Sequence, residues 1–563
     1  MRKVGILDVL VPALLLAIVV LGAWLRVQDP GSTSVIGAED PYTHLVLTKE
    51  ALARGYFGDS QWLGNTMYPP GIHALGGALA SDSGTDLYAW TLWAPLAFGV
   101  LAIVGTYVLA ARLGGPVAGL VSALVVALMP EHVFRSELYF PTALDLAILP
   151  AWMLSFVLAN AAESRPAQRY GGIALFALLT PALAFAHPWA VPLFLMPLAV
   201  WLALRVVRSG QPYALALRRL AQGAAMAVVG VAFAFASRWD HTESGFASFL
   251  DHLGPLALLS RLSFPPLVLF VAFTLILGAL AVPLVWLGAL VSHARPRVHR
   301  AFRFALAAVA AIALLAAIPA ISGHLPPDVN YRNMLGPLAI TLALAGIVVA
   351  LLRPTSLGDL ALAISVPLFP LTAIDVFHSP FWPQRTVVYL GLGVALLGGA
   401  AVAGLHDTVV SWTARRAPAR KAWIAPAIFV ATALLVAGAA YAQPAKDYTW
   451  YRLYSEDELH GIDQTVSMLN HDPSAAVIVE SWQPGLFLKA RGADPNQVKY
   501  CPKCFSDAGA RSKQIGSLHG PILVVGDKYL DKDAARGKAD AGWVSGSPIV
   551  VQAGAWRVWQ ERG

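Results

Sequence analysis

The sequence predicts a mostly α-helical membrane protein that crosses the bilayer many times and ends in a small α/β domain. Hydrophobic residues make up 57% of the 563 residues and charged residues only 13%, whereas about a quarter of a typical soluble protein is charged. Apolar segments of roughly the 20 residues that a membrane helix requires recur along the chain. After residue 442 the sequence becomes polar and mixed, which indicates a separate domain outside the bilayer.

About thirteen apolar segments are predicted membrane helices. They lie near residues 8–26, 88–111, 116–130, 142–162, 171–186, 188–207, 220–236, 262–291, 304–321, 334–352, 359–374, 386–405 and 423–442. Lysine and arginine are concentrated in alternate loops, as the positive-inside rule requires when the N-terminus is cytoplasmic. Topology therefore explains the net charge of +7, and we expect no nucleic-acid partner. Most loop carboxylates fall on the opposite, extracytoplasmic side, where we expect the chemistry.

We divide the chain into a membrane domain, 1–442, and an extracytoplasmic α/β domain, 443–563. Helical spacing runs from Glu456 to Leu469, and short apolar runs typical of buried strands follow at 475–480, 522–525, 549–552 and 556–559. Cys501 and Cys504 form a single CxxC motif, which is a weak metal signal without further ligands. A local disulfide and two free thiols are the alternatives that we favour over a metal site.

The first outer loop contains the strongest candidate for a chemical role, Glu39-Asp40-Pro41-Tyr42-Thr43-His44. Carboxylates at a bilayer edge are costly and are commonly functional. Asp40 before a proline is also typical of a helix N-terminus, so a capping role is the alternative. His44, four residues on, would share the helix face of Asp40. Tyr68 follows in a second motif, Tyr68-Pro69-Pro70-Gly71.

The second outer loop adds carboxylates that could complete a cation site with Asp40. Carboxylate oxygens suit Mg²⁺ or Mn²⁺, and the candidates are Glu131, Glu137 and Asp145. For the two glutamates, a polar loop paired with Arg135 is the alternative interpretation. Asp145 lies within an apolar segment, where a carboxylate is costly unless it has a partner.

Other outer-side residues are candidates for substrate contact. Arg332 and Arg385 are isolated arginines at this edge of the membrane, and a guanidinium there suits a lipid-linked phosphate. Anchoring to lipid headgroups is the alternative for both. His241 and Glu243 lie in the loop after the seventh segment, where they either contact substrate or are merely solvated.

These motifs resemble the GT-C membrane glycosyltransferases, and among them the catalytic subunit of oligosaccharyltransferase. The family's thirteen spans and C-terminal extracytoplasmic domain match the predicted layout. Asp40-Pro41-Tyr42-Thr43-His44 resembles the family's acidic motif followed by aromatic-x-His, and Tyr68-Pro69 resembles its Tyr-Pro element. Arg135-Ser136 with Asp145 resembles the acidic motif of its second outer loop, and Arg385 resembles the arginine near the start of a late span. Ser481-Trp482-Gln483-Pro484-Gly485 corresponds in position to its WWD motif, with Gln483 and Pro484 replacing the second Trp and the Asp.

The resemblance implies transfer of a sugar or oligosaccharide from a polyprenyl-(di)phosphate-linked donor to a protein or glycan acceptor. It implies catalytic roles for Asp40, Glu39 and His44, and Mn²⁺ or Mg²⁺ binding by Asp40, Asp145 and Glu137. Arg385 and Arg332 would bind the donor phosphate. Residues for acceptor or substrate contact would be Tyr68, His241, Glu243 and Trp482.

Three alternatives remain open at this point. A transferase of monophosphate-linked sugars, of the protein mannosyltransferase or aminoarabinose-transferase type, would need one acidic base and no metal. A lipid-sugar flippase or transporter would place its ionisable groups near mid-membrane and often contains repeats, whereas the acids here lie at one edge. A non-catalytic assembly subunit could also keep this fold.

The topology is directly testable with reporter fusions at residues 415–420 and 501–504. We expect residues 415–420 in the cytoplasm and residues 501–504 outside the cell membrane, because the positive-inside rule places Arg415, Arg416 and Arg420 inside. A reporter signal from both positions on one side would contradict the predicted number of spans.

Overall fold

The computed structural model describes residues 6–27, 39–55, 71–84, 87–160, 164–187, 190–209, 218, 221–222, 225, 331–353, 355–373, 382–416, 454–527, 530, 544 and 546–561. The predicted spans at 262–291, 304–321 and 423–442 lie outside these residues, as does nearly all of 220–236. Tyr68, His241, Glu243 and the boundary at residue 442 also lie outside them, so those predictions stay predictions.

Apolar helices follow the other nine predicted spans. In the first half of the chain the helices are α1 (Ile6–Val27), α2 (Glu39–Arg54), α3 (Gly71–Ser83), α4 (Leu87–Leu128), α5 (Pro130–Glu137), α6 (Pro141–Asn160), α7 (Pro166–Ala186) and α8 (Ala190–Ser209). Later helices are α9 (Tyr331–Leu335), α10 (Pro337–Leu352), α11 (Ser356–Ala373) and α12 (Trp382–Arg416). α2, α3, α5 and α9 are the shorter helices of the outer-side segments.

In the described part of the chain, 5 helical segments are long and apolar enough to cross a membrane. They are Val9–Val27, Ala89–Leu128, Pro141–Asn160, Pro166–Ala186 and Thr386–Thr413. The predicted class of multi-pass membrane protein is therefore supported. The number thirteen is not confirmed, because several predicted spans fall outside the described residues and others form shorter helices.

α4 is a helical hairpin rather than one straight rod. Gly115 has φ 87° and ψ 172°, outside the helical region, and it precedes Pro116. A Cβ on Gly119 would lie 2.7 Å from the Cβ of Ala111 and 2.9 Å from the ring of Tyr107. Residues eight and twelve apart are about 12 and 18 Å apart along a straight helix. The chain therefore turns back at Gly115, between the two predicted spans 88–111 and 116–130.

The C-terminal residues form a mixed five-stranded sheet with helices packed against it. Helix α13 (Glu456–His471) begins at a capping box formed by Ser455 and Glu458. The remaining elements are β1 (Ala476–Val479), α14 (Trp482–Arg491), β2 (Val498–Tyr500), α15 (Ala508–Gly516), β3 (Ile522–Gly526), β4 (Ile549–Ala553) and β5 (Trp556–Glu561). The strand order is β2-β1-β3-β5-β4, with β1 parallel to β2 and β3 and with β5 antiparallel to β3 and β4.

The predicted helix and all four predicted strands of this region are present. β2 was not predicted, because it is an edge strand of 3 residues that contains the polar Lys499. Cys501 and Cys504 form a disulfide directly after β2. Of the two alternatives for the CxxC motif, the local disulfide is therefore the correct one.

Helix α2 of the first outer loop packs into the core of the C-terminal region. Tyr42, Leu45 and Val46 of α2 belong to the same buried cluster as Leu486 and Phe487 of α14. The first outer loop and the C-terminal sheet therefore lie on the same side of the membrane. This agrees with the topology predicted from charge, although the absolute orientation stays a prediction.

Candidate active site

Helix α2 begins at the acidic motif, as the Asp-Pro sequence predicted. Its first residues are Glu39 and Asp40, and Pro41 follows within the first turn. Carboxylates in a first turn are stabilised by the partial positive charge of the helix N-terminus. The side chains of Glu39 and Asp40 lie outside the described part of the chain, so their chemical role stays a prediction.

The two motifs of the first outer loop meet through a pair of buried histidines. Nδ1 of His44 lies 3.0 Å from Nε2 of His73, which is in α3 just after the Tyr-Pro-Pro-Gly motif. One ring must donate and the other accept, so the hydrogen bond requires complementary tautomers or a single shared proton. The rings of Phe140, from the second outer loop, and His44 form a T-shaped pair with centroids 6.3 Å apart. His44 is therefore placed between both outer loops.

Tyr139 joins the second outer loop to the same group of helices. Its hydroxyl donates to the carbonyl of Ile72 at 2.8 Å and lies 3.4 Å from the hydroxyl of Thr48, one turn after His44. All three residues are buried. These contacts fix α2, α3 and the second outer loop relative to one another, close to the N-terminus of α2.

Asp145 is fully buried in α6 and contacts the helix that begins near Arg385. The hydroxyl of Tyr389 donates to Oδ2 of Asp145 at 2.5 Å, and Nδ1 of His187 lies 4.0 Å from the same oxygen. Oδ1 has no hydrogen-bond partner among the described residues. Tyr389 is one helical turn after Arg385 in α12, so these two residues share a helix face. The side chain of Arg385 lies outside the described residues.

Of the two glutamates in the second outer loop, the structure describes the contacts of Glu131 alone. Oε1 of Glu131 accepts from Nε of Arg135 at 3.0 Å, and the Arg135 guanidinium lies over the rings of Phe134 and Phe140. Glu131 therefore has the paired arrangement that the alternative interpretation predicted. The side chain of Glu137 lies outside the described part of the chain.

A cation site is compatible with the described residues but is not complete in them. The described residues contain no group of three or more His, Cys, Asp or Glu arranged to hold a metal ion. The predicted site also needs Asp40 and Glu137, whose side chains are not described. Asp145 does fit a cation ligand, because one of its buried oxygens is unpartnered within the described residues.

Arg332 lies in the short helix α9, which packs against α5 and α12. Its side chain is exposed, whereas the neighbouring Tyr331 hydrogen-bonds to Thr372 of α11. The structure thus brings the helices of Arg332, Glu131 and Arg385 together at one end of the bundle. Trp482 is the first residue of α14, and its side chain lies outside the described residues.

Arg26 was missed by the sequence analysis, as were His73 and Tyr389, and the structure also describes the contacts of His132 in the second outer loop. Arg26, at the end of α1, donates to Oγ of Ser136 at 2.6 Å and to the carbonyl of Gly22 at 2.8 Å. Nε2 of His132 lies 3.1 Å from the carbonyl oxygen of Val388. Burial lowers the pKa of His132 to about 4, with a further lowering from the Arg26 charge, so this imidazole is neutral at pH 7.

Membrane helices, outer-loop helices and a C-terminal mixed sheet are arranged here as in solved structures of archaeal oligosaccharyltransferases. The structure is similar to the oligosaccharyltransferase of Archaeoglobus fulgidus tethered with an acceptor peptide containing the NVT sequon, at a TM-score of 0.60 and 14% identity over 98% of this chain and 74% of that one. It is also similar to AglB from the same organism in complex with an inhibitory peptide and a dolichol-phosphate, at a TM-score of 0.56 and 13% identity over 91% and 69% of the two chains.

ArnT from Cupriavidus metallidurans bound to undecaprenyl phosphate matches at a TM-score of 0.40, with 14% identity over 97% of each chain. No protein-family model matches the sequence, and no curated protein sequence matches it. At these identities the similarity establishes the fold alone. The predicted resemblance to GT-C enzymes is therefore confirmed at the level of the fold.

The contact between Asp145 and Tyr389 is testable by removing one hydroxyl. Tyr389→Phe leaves a buried carboxylate oxygen without its donor, which typically costs about 1–3 kcal/mol. We expect a lower thermal midpoint for the purified protein in detergent. Tyr170→Phe is the matched control, because Tyr170 is 71% exposed. An unchanged midpoint in Tyr389→Phe would contradict the described contact.

Proposed function

We propose that the protein is an extracytoplasmic-face glycosyltransferase that uses a polyprenyl-phosphate-linked donor. The main supporting observation is the position of α2, whose N-terminal turn contains Glu39 and Asp40 and whose buried face contacts α3, the second outer loop and the C-terminal sheet region. Solved structures with a similar fold contain a dolichol-phosphate or an acceptor peptide. This supports a donor of the polyprenyl-phosphate class for the present chain.

In this proposal Asp40 is the chemical centre, assisted by Glu39 and His44. The buried contacts of His44 with His73 and Phe140 restrict movement of the first two turns of α2. A carboxylate fixed in this way can accept a proton from the acceptor or bind a cation. Preorganisation of this kind lowers the barrier because little rearrangement is needed when the reaction occurs.

Asp40, Asp145 and Glu137 are the residues that would hold Mn²⁺ or Mg²⁺. A bound divalent cation stabilises negative charge that develops on a departing phosphate. Asp145 is suited to this role because its Oδ1 has no hydrogen-bond partner among the described residues, and Tyr389 orients its carboxylate by donating to Oδ2. Arg385 and Arg332 would bind the donor phosphate, since a guanidinium can donate two hydrogen bonds to it.

The acceptor is a protein or a glycan in this proposal. Tyr68, His241, Glu243 and Trp482 are the residues that we assign to acceptor or substrate contact. Trp482 lies at the N-terminus of α14, whose opposite end contacts α2. The acceptor contact and the catalytic helix are therefore connected through a single short helix.

A second candidate is a transferase of monophosphate-linked sugars that uses Asp40 as a single base. The observation that favours it is the pairing of Glu131 in the second outer loop. This carboxylate accepts from Arg135 and already has an opposite charge as its partner. The two candidates differ in their requirement for a cation.

Asp40→Asn separates the catalytic role from the capping role. Asn is nearly isosteric with Asp and caps a helix about as well, and the loss of its charge near the helix N-terminus typically costs only about 0.3–1 kcal/mol, so we expect little change in the thermal midpoint. Loss of a general base typically lowers the rate by about 10²–10⁴, and we expect sugar transfer by the purified variant to fall by this factor. Asp82→Asn, on an exposed position of α3, should keep full activity. Full activity in Asp40→Asn would remove the basis of the proposed function.

The cation requirement is tested on the wild-type enzyme by chelation. We expect EDTA to abolish sugar transfer, because it removes the positive charge that stabilises the departing phosphate. Added Mn²⁺ or Mg²⁺ should restore transfer by returning that charge. A dose–response with each metal distinguishes the two ions. Undiminished transfer in EDTA, after dialysis against metal-free buffer, would favour the single-base candidate instead.

A further inference from the structure

Helix α14 of the C-terminal region lies against the first two turns of α2. The rings of Tyr42 and Phe487 are stacked, with centroids 3.9 Å apart and an interplanar angle of 23°. Tyr42 is 1% exposed and Phe487 is fully buried. Stacked aromatic rings in a closely packed interior permit little sliding of one helix along the other. Tyr42 is only two residues from Asp40.

A set of polar contacts surrounds this aromatic pair. Nε of Arg491 donates to the hydroxyl of Tyr42 at 3.0 Å, and Nη1 of Arg491 donates to both carboxylate oxygens of Asp463 at 3.2 and 3.1 Å. Two turns further along α2, Nζ of Lys49 donates to the carbonyl of Ala490 at 2.5 Å. The last turn of α14 therefore contacts α2 at Tyr42 and again at Lys49, and Asp463 of α13 fixes the orientation of Arg491.

We propose that Arg491 is a positioning residue that sets the location of Asp40 through Tyr42. The inference rests on the proposed function, in which Asp40 is the chemical centre. A displacement of Tyr42 moves the first turn of α2 with it, and misplacement of a reacting group by about 1 Å can cost roughly 10²-fold in rate. The C-terminal region thus contributes to catalysis by fixing the catalytic helix.

Helix α14 also fixes the distance between Trp482, the residue assigned to acceptor contact, and helix α2, which contains Asp40. α14 runs from Trp482, assigned to acceptor contact, to Arg491, which contacts Tyr42. A helix of 10 residues is about 15 Å long, and it does not shorten or lengthen without losing hydrogen bonds. α14 therefore joins Trp482 rigidly to Phe487 and Arg491, the two residues of this helix that contact Tyr42 of α2.

If Arg491 only stabilised the fold, its removal would lower turnover only as far as it lowers the thermal midpoint. The side chains of Arg491 and Asp463 are 18% and 47% exposed, and ion pairs in such positions contribute little to stability because solvent screens them. Removing Arg491 should therefore change the thermal midpoint only slightly. A large change in turnover without a matching change in the thermal midpoint is the signature of positioning.

The test compares Arg491→Gln, Tyr42→Phe and the double variant in a sugar-transfer assay with a purified lipid-linked donor. Each single variant removes the same hydrogen bond, so we expect each to lower kcat by about tenfold. The KM for the donor should not change, because the proposed phosphate-binding arginines are untouched. The double variant should be no slower than the slower single variant, since both changes act on one contact. Arg491→Lys should restore part of the rate by keeping a donor to Tyr42.

Lys513→Gln, an exposed change in α15, is the matched control and should behave as wild type. Unchanged kcat in both single variants, with Asp40→Asn inactive, would overturn the positioning role and leave the proposed function intact. Additive losses in the double variant, or losses that parallel a fall in thermal midpoint, would also overturn it. An active Asp40→Asn would instead overturn the proposed function on which it rests.

Discussion

The packing of helix α2 is the constraint on which the proposed active site depends. α2 contacts α3 through His44 and His73, the second outer loop through Thr48 and Tyr139, and the C-terminal region through Tyr42. These contacts lie within two turns of one short helix, so its orientation is determined from three directions. The acidic N-terminal turn is consequently held at the meeting point of the outer loops and the C-terminal sheet region.

Several polar side chains are buried at the outer end of the helix bundle, near the proposed active site. Arg26, His132 and Asp145 all have hydrogen-bond partners from other helices, which offsets the cost of removing them from water. Arg26 contacts Ser136 of α5, and Asp145 contacts Tyr389 of α12. The same contacts that satisfy these groups thus also fix α5 and α12, the helices that flank the proposed donor-phosphate site.

Local features of this protein were predictable from sequence, and contacts between distant segments were not. Apolar segment length gave most helix positions, the break between the predicted spans 88–111 and 116–130 coincides with the hairpin in α4, and apolar runs gave four strands. His44 and His73 are 29 positions apart, Asp145 and Tyr389 are 244 apart, and Tyr42 and Arg491 are 449 apart. A single sequence contains no signal for such pairs, because side-chain periodicity reports only the burial of each segment. The outer-loop motifs were found because they place charge where a membrane protein has few charges.

The most direct test of the central claim is a sugar-transfer measurement with the purified protein in liposomes. A radiolabelled sugar on polyprenyl phosphate would be supplied in the bilayer, with candidate protein and glycan acceptors on the side of the C-terminal region. The account predicts that label passes from the lipid fraction to an acceptor, at a rate that depends on the enzyme. Movement of the labelled lipid across the bilayer without transfer of label to any acceptor would contradict it and indicate a transporter.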